Sequence, residues 1–81
     1  MPATTEQLDR IEEIFREVMG VGAADVSDET AYATFGAWDS LKHMEMVARF
    51  EAELGLDIDI DDVINMSTVG KIKEILSRSI G

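Results

Sequence analysis

The sequence predicts an all-α fold, a small four-helix bundle with three main helices, one short helix and a long loop between helices 1 and 2. Apolar residues recur at helical spacing in three segments, and residues that start or stop helices bound each segment. The one segment with the two-residue period of a β-strand has no second strand with which to pair. The 81 residues, 46% of them hydrophobic, suffice for a single domain, expected over residues 1–81.

The first helix is expected from Thr4 to Met19. Thr4 and Gln7 fit a capping box, in which each side chain satisfies a free backbone N–H of the other residue. Gly20 follows the last apolar residue and is a typical helix stop. The apolar stripe that would face the core consists of Leu8, Ile11, Ile14, Phe15 and Val18.

Residues 20–39 form the long loop, which is rich in glycine, aspartate, serine and threonine. A loop of this length in a compact domain is usually functional or held in place by its own apolar residues. A short helical turn is expected within residues 27–33. The residues expected to hold the loop against the core are Val21, Val26, Tyr32 and Phe35, with Trp38 as a further hydrophobic plug.

The second helix is expected from Ser40 to Leu54, with Gly55 as its stop. Asp39 and Ser40 are both good N-cap residues, and the choice between them decides where the Ser40 side chain points. One stripe of this helix is expected to be buried against the rest of the bundle. Its predicted members are Leu41, Met44, Val47 or Ala48, Phe50 and Leu54.

Residues 56–62 alternate aliphatic and acidic side chains. Because a lone strand would leave its backbone groups unpaired, an extended link is predicted instead, with Leu56 and Ile58 turned inward. Asp59 or Asp61 would then cap the short third helix. The last helix is expected over residues 68–79, with Ser67 as its N-cap. Its predicted core stripe is Val69, Ile72, Ile75, Leu76 and Ile80.

The charge balance is strongly acidic, with seventeen acidic residues against seven basic ones and a formal net charge of −10. Nucleic acid and anionic lipid repel such a polyanion, so its partners are expected to offer basic patches. Residues 25–62 hold eleven acids but only two bases, Lys42 and Arg49. The chain has no cysteine, no apolar run that could insert in a membrane and no signal-peptide pattern at residues 1–6. These features predict a cytoplasmic monomer.

The residues present do not favour an enzyme or a metal protein. Ser40 would need a base, an orienting group and an oxyanion site to act as a nucleophile. The single histidine, His43, lies three residues further on and is expected to be an exposed helix residue. Asp57, Asp59 and Asp61 mimic the opening of a calcium loop, but the diagnostic glycine and glutamate of that loop are absent. No catalytic residue and no metal ligand are therefore predicted.

Taken alone, Ser40 is explained as a helix cap, but a long loop leads to it and an amphipathic helix with an acidic exposed face follows it. With these surroundings the chain resembles the acyl carrier proteins, the phosphopantetheine-attachment family, over nearly its full length. The resemblance rests on Phe-Gly-Ala-Trp-Asp-Ser-Leu at residues 35–41, on Glu-Ala-Glu-Leu-Gly-Leu-Asp-Ile at 51–58 and on Ser-Thr-Val-Gly at 67–70. It implies a carrier-protein bundle of the kind predicted above.

In that family a phosphopantetheinyl transferase uses coenzyme A to modify the serine of the Asp-Ser-Leu motif. The resemblance therefore implies that Ser40 carries 4′-phosphopantetheine, with Asp39 and Leu41 as its motif neighbours, and that the thiol of the arm holds acyl groups as thioesters. It implies three kinds of partner: the transferase, an acyl- or aminoacyl-activating ligase or acyltransferase, and downstream synthase enzymes with basic docking patches. The residues expected to dock these partners are Glu45, Glu51 and Met46.

The sequence departs from the family pattern around the motif. Carriers of fatty acid synthesis commonly read Leu-Gly-Ala-Asp-Ser-Leu, whereas here Trp38 precedes Asp39 and Phe35 replaces the leucine. Lys42 and His43 also interrupt what is often a strongly acidic start of the second helix. The departures favour a non-enzymatic acyl carrier of a secondary-metabolite, polyketide-type or specialised fatty acid pathway. An aminoacyl or peptidyl carrier is the alternative, and an unmodified helical interaction domain is a remoter one.

Overall fold

The structure of the protein, a computed structural model, describes residues 4–80 and confirms the predicted all-α fold. The predicted domain also includes residues 1–3 and 81. The prediction that residues 1–6 contain no signal peptide likewise concerns residues 1–3 in part. These residues lie outside the described part of the chain. The helices are α1 (Thr5–Met19), α2 (Ser40–Leu54), α3 (Ile60–Asn65) and α4 (Val69–Ile80).

Helix α1 ends at Met19 as predicted and begins one residue later than predicted, at Thr5, with Thr4 as its N-cap. The Thr4 hydroxyl oxygen accepts a hydrogen bond from the Gln7 N–H at 3.2 Å, and the Gln7 side-chain oxygen accepts one from the Thr4 N–H at 2.8 Å. The predicted capping box is therefore confirmed. At the other end Gly20 has a φ of 73°, a left-handed conformation that glycine adopts without strain. Its N–H donates to the Arg16 carbonyl at 2.8 Å and closes the helix.

The long loop contains its helical turn at a different place from the predicted one. A turn of 3-10 helix spans Ala23–Asp25. The predicted position, residues 27–33, lies further along the chain. The Asp25 carboxylate accepts a hydrogen bond from the Gly22 N–H at 3.3 Å, a short-range bond typical of aspartate in turns. The prediction for residues 27–33 is therefore wrong.

The backbone of residues 30–32 pairs with the start of α4, and the chain then makes one hydrogen-bonded turn from Ala31 to Phe35 rather than a helix. The Tyr32 N–H donates to the Ser67 carbonyl at 2.9 Å, and the Val69 N–H donates to the Thr30 carbonyl at 3.0 Å. These bonds form an isolated antiparallel bridge between the loop and the last helix. Because the partner segment lies far away in sequence, local pattern could not predict this pairing.

The core lies where α1 packs against α2 and α4. Val21, Val26 and Phe35 hold the loop against it as predicted, but Tyr32 is 41% exposed. Trp38 is only 2% exposed, which confirms its role as a hydrophobic plug. The buried core residues are Ile11, Ile14, Phe15, Val18, Met19, Trp38, Met46, Val47, Phe50, Ile58, Val63, Met66, Val69, Ile72, Ile75 and Leu76.

Helix α2 has the predicted bounds, but its predicted buried stripe is partly wrong. Leu41 is 69% exposed and Met44 is 54% exposed, whereas Met46 is fully buried beside Val47 and Phe50. At 3.6 residues per turn, Leu41 lies on nearly the opposite side of the helix from that buried set. Apolar residues surround much of α2, so the pattern alone does not indicate which of them α1 covers.

The segment between α2 and α3 is the predicted extended link rather than a strand. Ile58 is buried within it, and its N–H donates to the Glu51 carboxylate at 3.1 Å. Asp59 then occupies the N-cap position of α3, as predicted, although its side chain makes no capping hydrogen bond. The link therefore fixes where α3 starts relative to α2.

The start of α4 differs by one residue from the prediction. The Thr68 hydroxyl oxygen accepts a hydrogen bond from the Lys71 N–H at 3.0 Å, so Thr68 is the capping residue rather than Ser67. The carbonyl of Ser67 is instead bonded to the loop through the Tyr32 N–H. The buried stripe of α4 contains Val69, Ile72, Ile75 and Leu76, as predicted.

Candidate functional site

Ser40 is the first residue of α2 and is exposed to solvent. Asp39, immediately before it, has the extended backbone of an N-cap, and its carboxylate accepts a hydrogen bond from the Lys42 N–H at 2.9 Å. Because Asp39 caps the helix, the Ser40 side chain is free of that task. Its Oγ lies 3.2 Å from the Tyr32 hydroxyl oxygen, and the two hydroxyls form a hydrogen bond.

The first turn of α2 presents open backbone donors beside Ser40. The N–H groups of Lys42 and His43 are bonded to the Asp39 carboxylate and carbonyl, the latter at 2.8 Å. Within residues 4–80, the N–H groups of Ser40 and Leu41 have no hydrogen-bond partner. Such amides, together with the helix dipole, favour an anionic group at this position.

An open, largely apolar pocket of about 310 Å³ adjoins Ser40, between α2, α3 and the long loop. Val63 and Met66 form its buried wall. Met44, Ile60 and Ile64 also line it, and each is more than half exposed. An apolar group that covered these side chains would remove their surface from water, which is favourable. This pocket could not be predicted from the sequence, because residues of separate elements line it.

His43 is partly buried rather than exposed, so the prediction for this residue is wrong. Its Nδ1 accepts a hydrogen bond from the Trp38 indole N–H at 2.9 Å. Its Nε2 lies 2.8 Å from the Val63 carbonyl, which can only accept, so Nε2 carries the proton. The neutral imidazole thus joins the loop, α2 and α3. The two partners lie five residues before it and twenty after it, and only the folded chain brings them together.

Three aromatic side chains lie next to one another beneath Ser40. The Trp38 and His43 rings lie nearly parallel, with 5.9 Å between the ring centres and 18° between the planes. The Tyr32 ring stands edge-on to both, at 5.7 Å from Trp38 and 5.9 Å from His43. Trp38 also packs edge-on against Phe15 of α1 at 4.9 Å. Trp38 and His43, two of the residues that differ from the fatty acid carrier pattern, are therefore part of the support of the site.

Alternative chemistries find no support in this arrangement. Both nitrogens of His43 are engaged, so the imidazole offers no free lone pair with which to activate Ser40. Within the described residues, no group of three or more histidine, cysteine or acidic side chains is placed to hold a metal ion. No helix of residues 4–80 is long and apolar enough to cross a membrane.

The predicted docking residues have different surroundings. Glu45 is exposed on α2, and its carboxylate lies 4.0 Å from the Lys42 ammonium. Glu51 is partly buried and holds the link before α3. Met46 is completely buried, so the prediction that it docks partners is wrong. Leu41 and Met44, which the sequence analysis assigns to the core, lie exposed on α2 instead.

Comparison with known proteins identifies the family of this chain. Residues 9–76 match the family described as the phosphopantetheine attachment site. The chain belongs to the phosphopantetheine-attachment family. This confirms the predicted acyl carrier resemblance, the covalent 4′-phosphopantetheine cofactor of the family and the assignment as a carrier rather than a catalyst.

Similar proteins within this family include both a short carrier and a very large synthase. An acyl carrier protein of Thermotoga maritima is 30% identical over 81 residues, and the match covers 100% of both chains. A non-reducing polyketide synthase of Gibberella fujikuroi is 36% identical over 76 residues, which is 93% of this chain and 3% of the synthase. The chain therefore spans only about 3% of the length of the curated synthases that it matches.

The fold of the family also matches in three dimensions. The solution structure of a holo acyl carrier protein from Geobacter metallireducens superposes with a TM-score of 0.78 at 25% sequence identity. The superposition covers 90% of this chain and 84% of that one. The four-helix arrangement described above is therefore that of an acyl carrier protein.

Proposed function

We propose that this chain carries polyketide-type acyl intermediates as thioesters on a 4′-phosphopantetheine arm attached to Ser40. The observation that carries the proposal is the position of Ser40 in a member of the phosphopantetheine-attachment family. Its hydroxyl is exposed at the first residue of α2, next to two open N–H groups and an apolar pocket. The likeness to the Gibberella fujikuroi polyketide synthase supports the class of cargo.

The residues at the start of α2 suit a phosphodiester. On loading, Ser40 Oγ would form a bond to the phosphorus of the phosphopantetheine part of coenzyme A. Its proton would pass to a base of the transferase, and adenosine bisphosphate would leave. The open N–H groups of Ser40 and Leu41 would then face the negative charge. The arm supplies the thiol that this cysteine-free chain lacks.

The pocket beside Ser40 favours an acyl over an aminoacyl cargo. Met44, Ile60 and Ile64 present apolar surface next to the attachment point. An acyl chain that covered that surface would gain free energy, because apolar surface would be removed from water. The ammonium of an aminoacyl group would lose hydration there without a compensating partner. The acyl assignment is therefore preferred to the aminoacyl or peptidyl alternative.

The partners proposed for this carrier are a phosphopantetheinyl transferase, a ligase or acyltransferase that loads the acyl group, and downstream synthase enzymes. Glu45 remains a proposed docking residue, because it is exposed on α2 in a chain with a net charge of −10. Basic patches on the partners would be attracted to this surface, with association rates that fall as salt rises. We propose a monomeric, cytoplasmic carrier.

The attachment site is tested by intact mass measurement after incubation with coenzyme A and a broad-specificity transferase. The wild-type chain should gain the mass of one phosphopantetheine, and Ser40→Ala should gain nothing. Ser67→Ala is the matched control, because Ser67 is also an exposed serine that lines the pocket, and this variant should load like the wild type. An unmodified wild-type chain, as expected of an interaction domain in which Ser40 is a plain surface residue, would overturn the proposal. So would a modified Ser40→Ala chain.

A further inference from the structure

Tyr32 is the side chain that contacts Ser40 directly, and the proposed function leaves it without a task. Its hydroxyl oxygen lies 3.2 Å from Ser40 Oγ. The residue is eight positions away in sequence and belongs to the irregular part of the long loop. The chain contains no other tyrosine. A single phenol therefore stands at the point where the arm would leave the protein.

The Tyr32 ring is held from several sides. Its N–H donates to the Ser67 carbonyl at 2.9 Å, which anchors its backbone to the start of α4. The Trp38 and His43 rings pack against the Tyr32 ring at nearly right angles, and those two side chains are themselves joined by a hydrogen bond at 2.9 Å. Trp38 is buried and His43 is bonded at both nitrogens. The phenol is therefore presented to Ser40 by a preorganised support.

The charges around Ser40 favour a neutral donor at this position. A phosphodiester on Ser40 would carry one negative charge, and the carboxylate of the preceding residue, Asp39, is also negative. The nearest basic side chain in sequence, Lys42, lies toward Glu45, with 4.0 Å between the ammonium nitrogen and the carboxylate oxygen. The donors that face the site are then two backbone amides and the Tyr32 hydroxyl. A hydrogen bond from a neutral donor to a charged acceptor is stronger than one between two neutral groups.

We propose that Tyr32 positions the arm by donating a hydrogen bond to a non-bridging oxygen of the Ser40-linked phosphodiester. This inference rests on the proposed attachment at Ser40. Once Ser40 Oγ is esterified it has no proton and is a poor acceptor, so the phenol turns from Oγ to the charged oxygens beside it. Because Tyr32 itself lines the apolar pocket, this bond directs the arm across the pocket rather than away from the bundle.

The test compares loaded wild-type protein with loaded Tyr32→Phe. The control is Ser79→Ala, because Ser79 is an exposed serine of α4 that does not line the pocket. Tyr32→Phe keeps the ring and its packing, so an unchanged melting temperature is expected. The ³¹P resonance of the phosphodiester should shift in Tyr32→Phe and stay in place in Ser79→Ala. Nuclear Overhauser contacts from the methyl groups of the arm to Ile60 and Ile64 should weaken by about twofold to tenfold, the effect of one lost hydrogen bond.

A second measurement uses the wild type alone and does not depend on any variant. Tyrosine labelled with ¹³C at Cζ gives one signal, because the chain has one tyrosine. That signal should move when the arm is attached. An unchanged ³¹P resonance in Tyr32→Phe, or an unmoved tyrosine signal on loading, would overturn the role of Tyr32 and leave the proposed function intact. A wild-type chain that takes up no arm would overturn both.

Discussion

At the residue scale, neighbouring side chains at the N-cap and within α2 have different roles. Asp39 accepts the hydrogen bond from the Lys42 N–H that caps the helix, and Ser40 can therefore face outward beside Tyr32. Met44 and Met46 show the same division. Met46 is completely buried in the core, whereas Met44 is 54% exposed and lines the pocket. Met46 therefore contributes to the stability of the core, whereas Met44, two positions earlier, contributes to the pocket beside Ser40.

Truncation of each methionine tests this division. Met46→Ala should lower the free energy of unfolding by about 2–5 kcal/mol, because it leaves a cavity among close-packed side chains. Met44→Ala is the matched control and should change it by less than about 0.5 kcal/mol, as expected of an exposed residue. Urea unfolding followed by circular dichroism measures both. Equal losses in the two variants would contradict the assignment of Met46 to the core.

At the scale of elements, the long loop is ordered by its bonds to α4. The Gly70 N–H donates to the Asp28 carbonyl at 2.8 Å, and Lys73 donates to the Asp28 carboxylate at 2.7 Å and to Glu12 of α1 at 3.0 Å. Partial burial works against the charge of Lys73, but the hydrogen bonds to Asp28 and Glu12 outweigh it and raise its pKa above the usual value. The same loop carries Tyr32, so these bonds also support the proposed attachment site.

Gly70 permits the close approach of the loop to α4. A Cβ at this position would lie 3.0 Å from the Asp28 carbonyl oxygen and 3.3 Å from the Asp28 Cβ. Gly70→Ala should therefore destabilise the fold despite a gain of up to about 1 kcal/mol in helix propensity. Thermal unfolding measures the change in stability. Broadened amide resonances of the loop are also expected, because the loop could no longer pack as closely on α4.

Gly36→Ala is the matched control for Gly70→Ala, because a Cβ there would meet nothing within 4 Å. It should leave the melting temperature unchanged or raise it, since alanine reduces the conformational entropy of the unfolded chain. A Gly70→Ala protein as stable as Gly36→Ala would show that the loop does not depend on this close approach.

At the scale of the whole molecule, the chain has a net charge of −10 and only seven basic residues. Two of them, Arg10 and Arg49, form ion pairs between α1 and α2. Arg10 of α1 bonds to Glu13 and Glu17 of its own helix and to Glu53 of α2. Arg49 of α2 bonds to Glu53 and, at 2.8 Å, to Glu17. The network relieves repulsion where the helices meet, and acids outside it, such as Glu45, remain exposed on the surface.

The network predicts how stability depends on pH. The hydrogen bond from Arg49 is the main cause that holds the pKa of Glu17 and of Glu53 below the usual 4.5, and Arg10 adds to it. A carboxylate whose folded-state pKa is lowered stabilises the fold above its unfolded-state pKa and loses that effect as the pH falls through the folded value. The stability difference between the wild type and Glu17→Gln/Glu53→Gln should therefore shrink below about pH 4.5.

The control for this pH series is Asp9→Asn/Glu29→Gln, which removes the same charge from exposed residues with no ion pair among residues 4–80. Relative to the wild type it should be no less stable at neutral pH, because removing two acids reduces the repulsion in a polyanion. Urea unfolding at several pH values measures both double variants. A difference between the network variant and the wild type that does not change with pH would contradict the prediction.

Much of the architecture could be predicted because it depends on short-range rules. The capping box of Thr4 with Gln7, the stop at Gly20 and the bounds of α2 all rest on residues within one or two helical turns. The extended link before α3 was predictable because a lone strand cannot satisfy its own backbone. The contacts that could not be predicted join residues of different elements. The imidazole of His43, for example, bonds to Trp38 of the loop and to Val63 of α3.

By itself, the sequence determined the number of main helices, the bounds of α2, the family resemblance and the choice of Ser40 as the residue to test. It could do so because helix periodicity, capping and a short motif are local properties of the chain. Only the tertiary structure decided which face of α2 is buried and how the long loop pairs with α4. It also brought Tyr32 within hydrogen-bond distance of Ser40. These features arise from contacts between segments distant in sequence, which local propensity does not encode.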